Sequence, residues 1–114
     1  MSNDIPKGSI IYISAPMTGV EGWNKAQFHK VAAYYRDLGM DVINPAEIDD
    51  EHPMEDATWW DYIDRDCRLI LTLQPGYIVH LSGWQHSPGA LIENIVASMK
   101  TGSKIIYHDW SEEL

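Results

Sequence analysis

A chain of 114 residues has room for one domain with its own core, and 45% apolar residues with no run long enough to cross a bilayer exclude a membrane span. The net charge of −9 excludes broad contact with a nucleic-acid polymer, although backbone N–H groups at a helix N-terminus could still hold one phosphate. The single cysteine, Cys67, excludes an internal disulfide, and no apolar stretch follows a basic start at the N-terminus, so a reducing, cytoplasmic location is expected.

The elements follow in chain order. Ile10-Ile11-Tyr12-Ile13 is a β-branched and aromatic run that predicts a buried first strand. It enters Ser14-Ala15-Pro16-Met17-Thr18-Gly19, a loop by its proline and glycine. Phe28, Val31, Ala32, Tyr35 and Leu38 form the stripe of a helix from about Asn24 to Leu38, which Gly39 stops. Asp41 to Asn44 reads as the second strand, closed by Pro45, and the acidic stretch from Asp49 to Glu55 as a surface loop. Thr58 caps a second helix reaching about Leu73. Gln74-Pro75-Gly76 turns into a third strand, Tyr77 to Leu81. After a loop from Ser82 to His86, Ser87 at the N-cap and Pro88 at the first helical position open a third helix, which ends near Lys100 before Gly102. Lys104 to His108 is the last strand.

Strands alternating with helices at this spacing predict βαβ units. The expected fold is a single α/β domain over residues 1–114: three layers, flavodoxin- or Rossmann-like, with a parallel sheet of about four strands. Such sheets bind ligands outside the carboxyl ends of their strands. Three loops meet there, Ser14 to Gly19, Asn44 to Glu47 and Ser82 to Gly89.

Some residues are chemically expensive where they stand. At about 100° per residue, Trp59, Tyr62, Ile63, Ile70 and Leu73 share one arc of the second helix, with Asp66 in its middle and Asp61, Asp64, Arg65 and Arg68 on the solvated side. A carboxylate on an apolar stripe needs a partner; it either bonds a neighbouring loop as structural glue or belongs to a site. Glu93 lies one turn beyond Gly89 and leans over the first turn of its helix. On the wheel, however, it sits at the edge of the apolar arc of Ile92, Ile95, Val96 and Met99, so a solvated role and a catalytic one both fit. Tyr12 reads as a core tyrosine whose hydroxyl needs a partner, which Asp66 or Glu93 could supply. Glu47 fits a ligand contact or a helix-start cap. His80 reads as a satisfied core histidine, and Cys67 as inert packing. His86 has no companion at a metal-ligand spacing, so no metal site is expected. With five tryptophans and six tyrosines, some aromatic rings must be exposed at a pocket or a subunit contact; Trp84 is placed to line a pocket by its loop.

These residues together resemble the nucleoside 2-deoxyribosyltransferase superfamily, in its short, phage-associated branch. The resemblance rests on Ile11 to Gly19, on Asn44-Pro45-Ala46-Glu47, on Trp60, Tyr62 and Asp66, and on Leu81 to Ala90 with Glu93. The Ser-x-Gly-x-x-x-Glu spacing of Ser87, Gly89 and Glu93 is also similar to that of deoxynucleoside-monophosphate N-hydrolases. The resemblance implies that Glu93 attacks the anomeric carbon, Tyr12 orients that carboxylate, and Asp66 assists departure of the base. It further implies that Ser87 meets the sugar or 5′-phosphate, with Ser14, Met17, Thr18, Gly19, Asn44, Trp84 and Gly89 around the substrate. The implied partner is a 2′-deoxynucleoside or its 5′-monophosphate, with no cofactor, and a homo-oligomer completes the pocket. Thr18 stands where the nucleotide hydrolases have an arginine, and Gln85 and His86 where the transferases have an acid, so hydrolysis and transfer both remain open. A non-catalytic nucleotide binder and a scaffold assembled through its tryptophans are the alternatives of other classes.

Overall fold

The computed structural model describes residues 5–17 and 20–108. β1 (Ile10–Ser14) is flanked by β2 (Asp41–Ile43) and β3 (Tyr77–Leu81), and β4 (Lys104–His108) lies beyond β3. All neighbours are parallel, in the order β2-β1-β3-β4. Residue-by-residue alternation divides β1 between two cores. Ile11 and Ile13, with Val79 and Leu81, pack with Phe28, Val31, Ala32 and Tyr35 of α1 (Lys25–Asp37). Tyr12 and Ile78 face the other way, against Ile70 of α3 (Trp59–Leu73) and Val96 of the last helix, α4 (Pro88–Val96). The result is the expected three-layer α/β fold. Its order reverses direction between β1 and β3, and a ligand crevice is expected at that switch point. Among the described residues no helix is long and apolar enough to cross a membrane.

The third and last strands occupy the residues expected of them. A fourth helix, α2 (Pro45–Glu51), occupies part of the stretch expected to be strand end and loop. Asn44 Oδ1 accepts from the N–H groups of Ala46 and Glu47, and Pro45 stands at the first turn where its missing N–H costs nothing. Asn44-Pro45 is thus a helix start as well as the end of β2. Glu47 pairs with Arg36 through both carboxylate oxygens at 2.9 Å; the cap of α2 is Asn44, and Glu47 does not line the cavity described below.

α3 begins as its sequence requires. Thr58 Oγ1 accepts from Asp61 N–H at 3.2 Å, and Asp61 Oδ2 accepts from Thr58 N–H at 2.8 Å, a reciprocal capping box. Thr58→Ala is expected to cost about 1 kcal/mol, read by urea denaturation with an unchanged m-value.

On the last helix the wheel is right for Val96, which packs on the core, but wrong for Ile95, Met99 and Glu93. Leu91, Ile95 and Met99 are 40%, 55% and 77% exposed, whereas Glu93 is 6% exposed. Ala90, Glu93 and Ala97 turn inward instead, and α4 packs on α3 at Gly89, where a Cβ would stand 2.9 Å from the Ile63 Cδ1 methyl. Leu73, placed on the buried arc of α3, is likewise exposed.

Candidate functional site

β1 carries two inward polar residues, Tyr12 and Ser14, two positions apart and therefore on one face. Glu93 comes to them from α4. Tyr12 Oη donates to Glu93 Oε2 at 2.6 Å, and Ser14 Oγ donates to Glu93 Oε1 at 2.8 Å. All three residues are buried. Both oxygens of one carboxyl are thus held by hydroxyls fixed in the central strand.

Asp66 of α3 is the second acid, and its carboxyl is hydrogen-bonded to that of Glu93. Burial pushes Glu93 well above the usual carboxylate range; the nearby Asp66 charge adds to this, and the Tyr12 and Ser14 hydroxyls oppose it. Asp66 is also raised by burial, but Arg65 draws it back down. Burial thus raises both acids, and the Arg65 guanidinium offsets it at Asp66. Burial likewise raises Tyr12, so its phenol remains a donor.

Arg65 departs from its expected place on the solvated side. Its side chain is only 16% exposed: Nε donates to Asp66 Oδ1 at 3.0 Å and Nη1 reaches Asp49 Oδ1 at 3.4 Å. A long apolar stem lets a guanidinium return across the helix surface to a buried charge. Asp49 also takes Lys25 Nζ at 2.9 Å. The unexpected helix α2 thus inserts a carboxylate between cations from α1 and α3.

A cavity of about 420 Å³ opens onto this array at the C-terminal end of β1. Asp66 and Glu93 line it, with Met17, Ser87 and Gly89 from the expected loops and His86 beside them. Ser87 Oγ accepts from Ala90 N–H at 3.3 Å, its expected cap. Trp59 and Tyr62 from α3, and Trp23, Pro16 and Phe28 from the opposite layer, make most of the remaining wall apolar and aromatic. Thr18 and Gly19 lie outside the described residues. Asn44 is not at the cavity; it caps α2, and its Nδ2 meets His29 Nδ1 at 3.2 Å.

Trp84 is also elsewhere. Gly83, at φ 88°, swings the following turn away, and the indole stacks on His80 at 4.3 Å and on Tyr107 at 5.3 Å. His80 is buried but only partly satisfied: Nε2 meets the Asn94 amide at 2.9 Å, while Nδ1 has no partner. Burial pulls its pKa down to about 4, so the ring is neutral at physiological pH. Burial, with neighbouring acids, pushes the Cys67 thiol up to about 11, which makes it a poor nucleophile.

Trp23, Lys25, Asp49, Trp59, Tyr62 and Arg65 are among the cavity residues that sequence reasoning did not assign to a site. Tyr62 stands one helical turn before Asp66, a spacing that could have marked it. Trp59 shares the arc of Asp66, and the others had no local signal.

The family model described as Domain of unknown function (DUF4406) matches residues 9–107, from the start of β1 to within β4. The chain belongs to the DUF4406 family. No curated protein matches it. The matched span holds the whole Tyr12, Ser14, Asp66 and Glu93 array, together with every residue that lines the cavity.

Proposed function

We propose that this DUF4406 protein cleaves the N-glycosidic bond of a 2′-deoxynucleoside or its 5′-monophosphate, and that it is a branch of the nucleoside 2-deoxyribosyltransferase superfamily. The observation that carries this reading is Glu93, a buried carboxyl held at both oxygens by Tyr12 and Ser14 and paired with a second acid at an aromatic cavity. Binding alone needs no such pair, whereas displacement at an acetal-like carbon needs one acid to attack and one to protonate.

The chemistry follows from the shared proton. The working state has one proton on the pair, held by Asp66, with Glu93 ionised. The Glu93 carboxylate attacks C1′, the C1′–N bond breaks, and its electron pair leaves with the base, which takes the proton from Asp66. A glycosyl ester on Glu93 results. Water, deprotonated by Asp66, attacks C1′ and frees Glu93 in hydrolysis; a second base does so in transfer. The hydroxyls of Tyr12 and Ser14 keep the carboxylate from rotating and share its charge.

Incubation with a panel of deoxynucleosides and their monophosphates, followed by chromatography of free base, tests the reading. Release by wild type and not by Glu93→Ala supports it. Binding without release by wild type replaces it with a sequestering protein. Tyr12→Phe removes one hydrogen bond to a buried ionised group, worth about 1.5–3 kcal/mol. The expected loss is about 10- to 100-fold in kcat with KM little changed, read by initial rates.

Self-association belongs to the same proposal. Leu91 and Ile95 on the outer face of α4, with Met99 in the turn that continues it, support it, because a monomer would leave that apolar stripe in water. Sedimentation equilibrium measures it directly.

A further inference from the structure

The segment leading into α1 holds an unusual backbone. Gly22, Trp23 and Asn24 are all left-handed, with φ of 60°, 56° and 60° and ψ of 23°, 23° and 16°. Only glycine takes that conformation freely. A tryptophan there is strained, and such strain persists only where neighbouring contacts enforce it. Here they do: Trp23 N–H donates to Val20 O at 2.9 Å, and Asn24 Nδ2 donates to Pro16 O at 3.0 Å, tying the turn to the loop after β1.

The strained turn does not bury its indole. Trp23 is 57% exposed, yet it lines the cavity. Core packing therefore does not explain a large aromatic ring at a position that favours glycine. Trp59 and Tyr62 line the same cavity from α3, in the layer on the other side of the sheet from α1. Aromatic walls from two layers bound the mouth, and the acids lie within.

We propose that Trp23 is the base-stacking residue of the site, held at the mouth by its left-handed turn so that its indole lies on the face of the nucleobase. The assignment rests on the N-glycosidic reading and deepens it. Stacking is indifferent to hydrogen-bonding edges, so Trp23 sets a preference for large planar bases over small ones and none among purines of equal size.

Affinities of 2′-deoxyadenosine and 2′-deoxyuridine, measured by calorimetry on Glu93→Gln protein to prevent turnover, test this. Adding Trp23→Gly should weaken 2′-deoxyadenosine binding about 10- to 100-fold and 2′-deoxyuridine binding less, while Trp23→Phe stays within about fivefold. The melting temperature of Trp23→Gly should equal or exceed that of its parent, since glycine relieves the left-handed strain. Unchanged affinity in Trp23→Gly overturns the assignment and leaves the N-glycosidic reading standing. Weaker binding accompanied by a lower melting temperature also overturns it, because the turn would then be a structural prop. If neither these nucleosides nor their 5′-monophosphates bind the parent, this assignment and the reading beneath it fall together.

Discussion

Glu93→Gln should abolish base release, lowering kcat by a factor on the order of 10³ or more, and should raise the melting temperature at pH 8. Both effects come from one placement. An amide cannot form the glycosyl ester, so the covalent route closes. The same amide cannot ionise, so it avoids the cost of a carboxylate buried next to Asp66. Burial raises Glu93 above its ordinary 4.5, so between that value and the raised one the folded state binds more protons than the unfolded chain. Wild-type stability from this group is complete below about pH 4.5 and declines as pH rises through the higher value. Calorimetric melting from pH 4 to pH 9 should show the wild-type melting temperature falling over that window and a flatter curve for Glu93→Gln. Loss of activity with a lower melting temperature at pH 8 would mean that the carboxylate serves the fold rather than the reaction. A gain in stability on removing a reactive group is the usual mark of a site built at the expense of the core.

Asp66→Asn should reduce the rate of release of a poor leaving base by about 10²- to 10⁴-fold, the range of general acid catalysis. A base that leaves readily as an anion, such as 5-fluorouracil, should suffer much less. The pH profile distinguishes the two acids further. The working state has one proton on the pair, on Asp66, so wild type should lose activity at low pH when both acids are protonated and at high pH when neither is. Asn cannot titrate, so the variant should keep the acidic limb of Glu93 and lose the alkaline limb. Arg65, 3.0 Å from Asp66, keeps that second carboxyl lower than burial alone would place it. If Asp66→Asn slows good and poor leaving bases equally, Asp66 positions Glu93 and does not protonate the base. Initial rates across pH with a matched pair of pyrimidine deoxynucleosides provide the measurement.

Several features depended only on neighbours in the chain. The strands Tyr77–Leu81 and Lys104–His108 are short apolar runs bounded by turn residues, and they stand where such runs predict. Ser87 and Pro88 open α4, and Thr58 opens α3, because capping is decided within four residues. Asp66 was visible as a carboxylate on an apolar arc. The parallel order also followed from alternation of strands and helices, and with it the end of the sheet where a cavity belongs.

Only the tertiary structure decided which side chains meet. Glu93 looked half-solvated on its wheel because Ile95 and Met99 made the apolar arc appear to be the buried one. In the packed domain α4 meets α3 through Gly89 and turns Ala90, Glu93 and Ala97 inward instead. Tyr12 and Ser14 meet Glu93 across 81 and 79 residues, a distance no periodicity spans. Arg65 crossed from the solvated side because its stem is long, and Asp49 reached the site because Asn44 and Pro45 begin a helix rather than end a strand. Local signals record propensity and burial within a turn or two. The clasp on Glu93 depends on where parallel crossovers bring a strand and a helix together, and that is set by the packing of the whole domain.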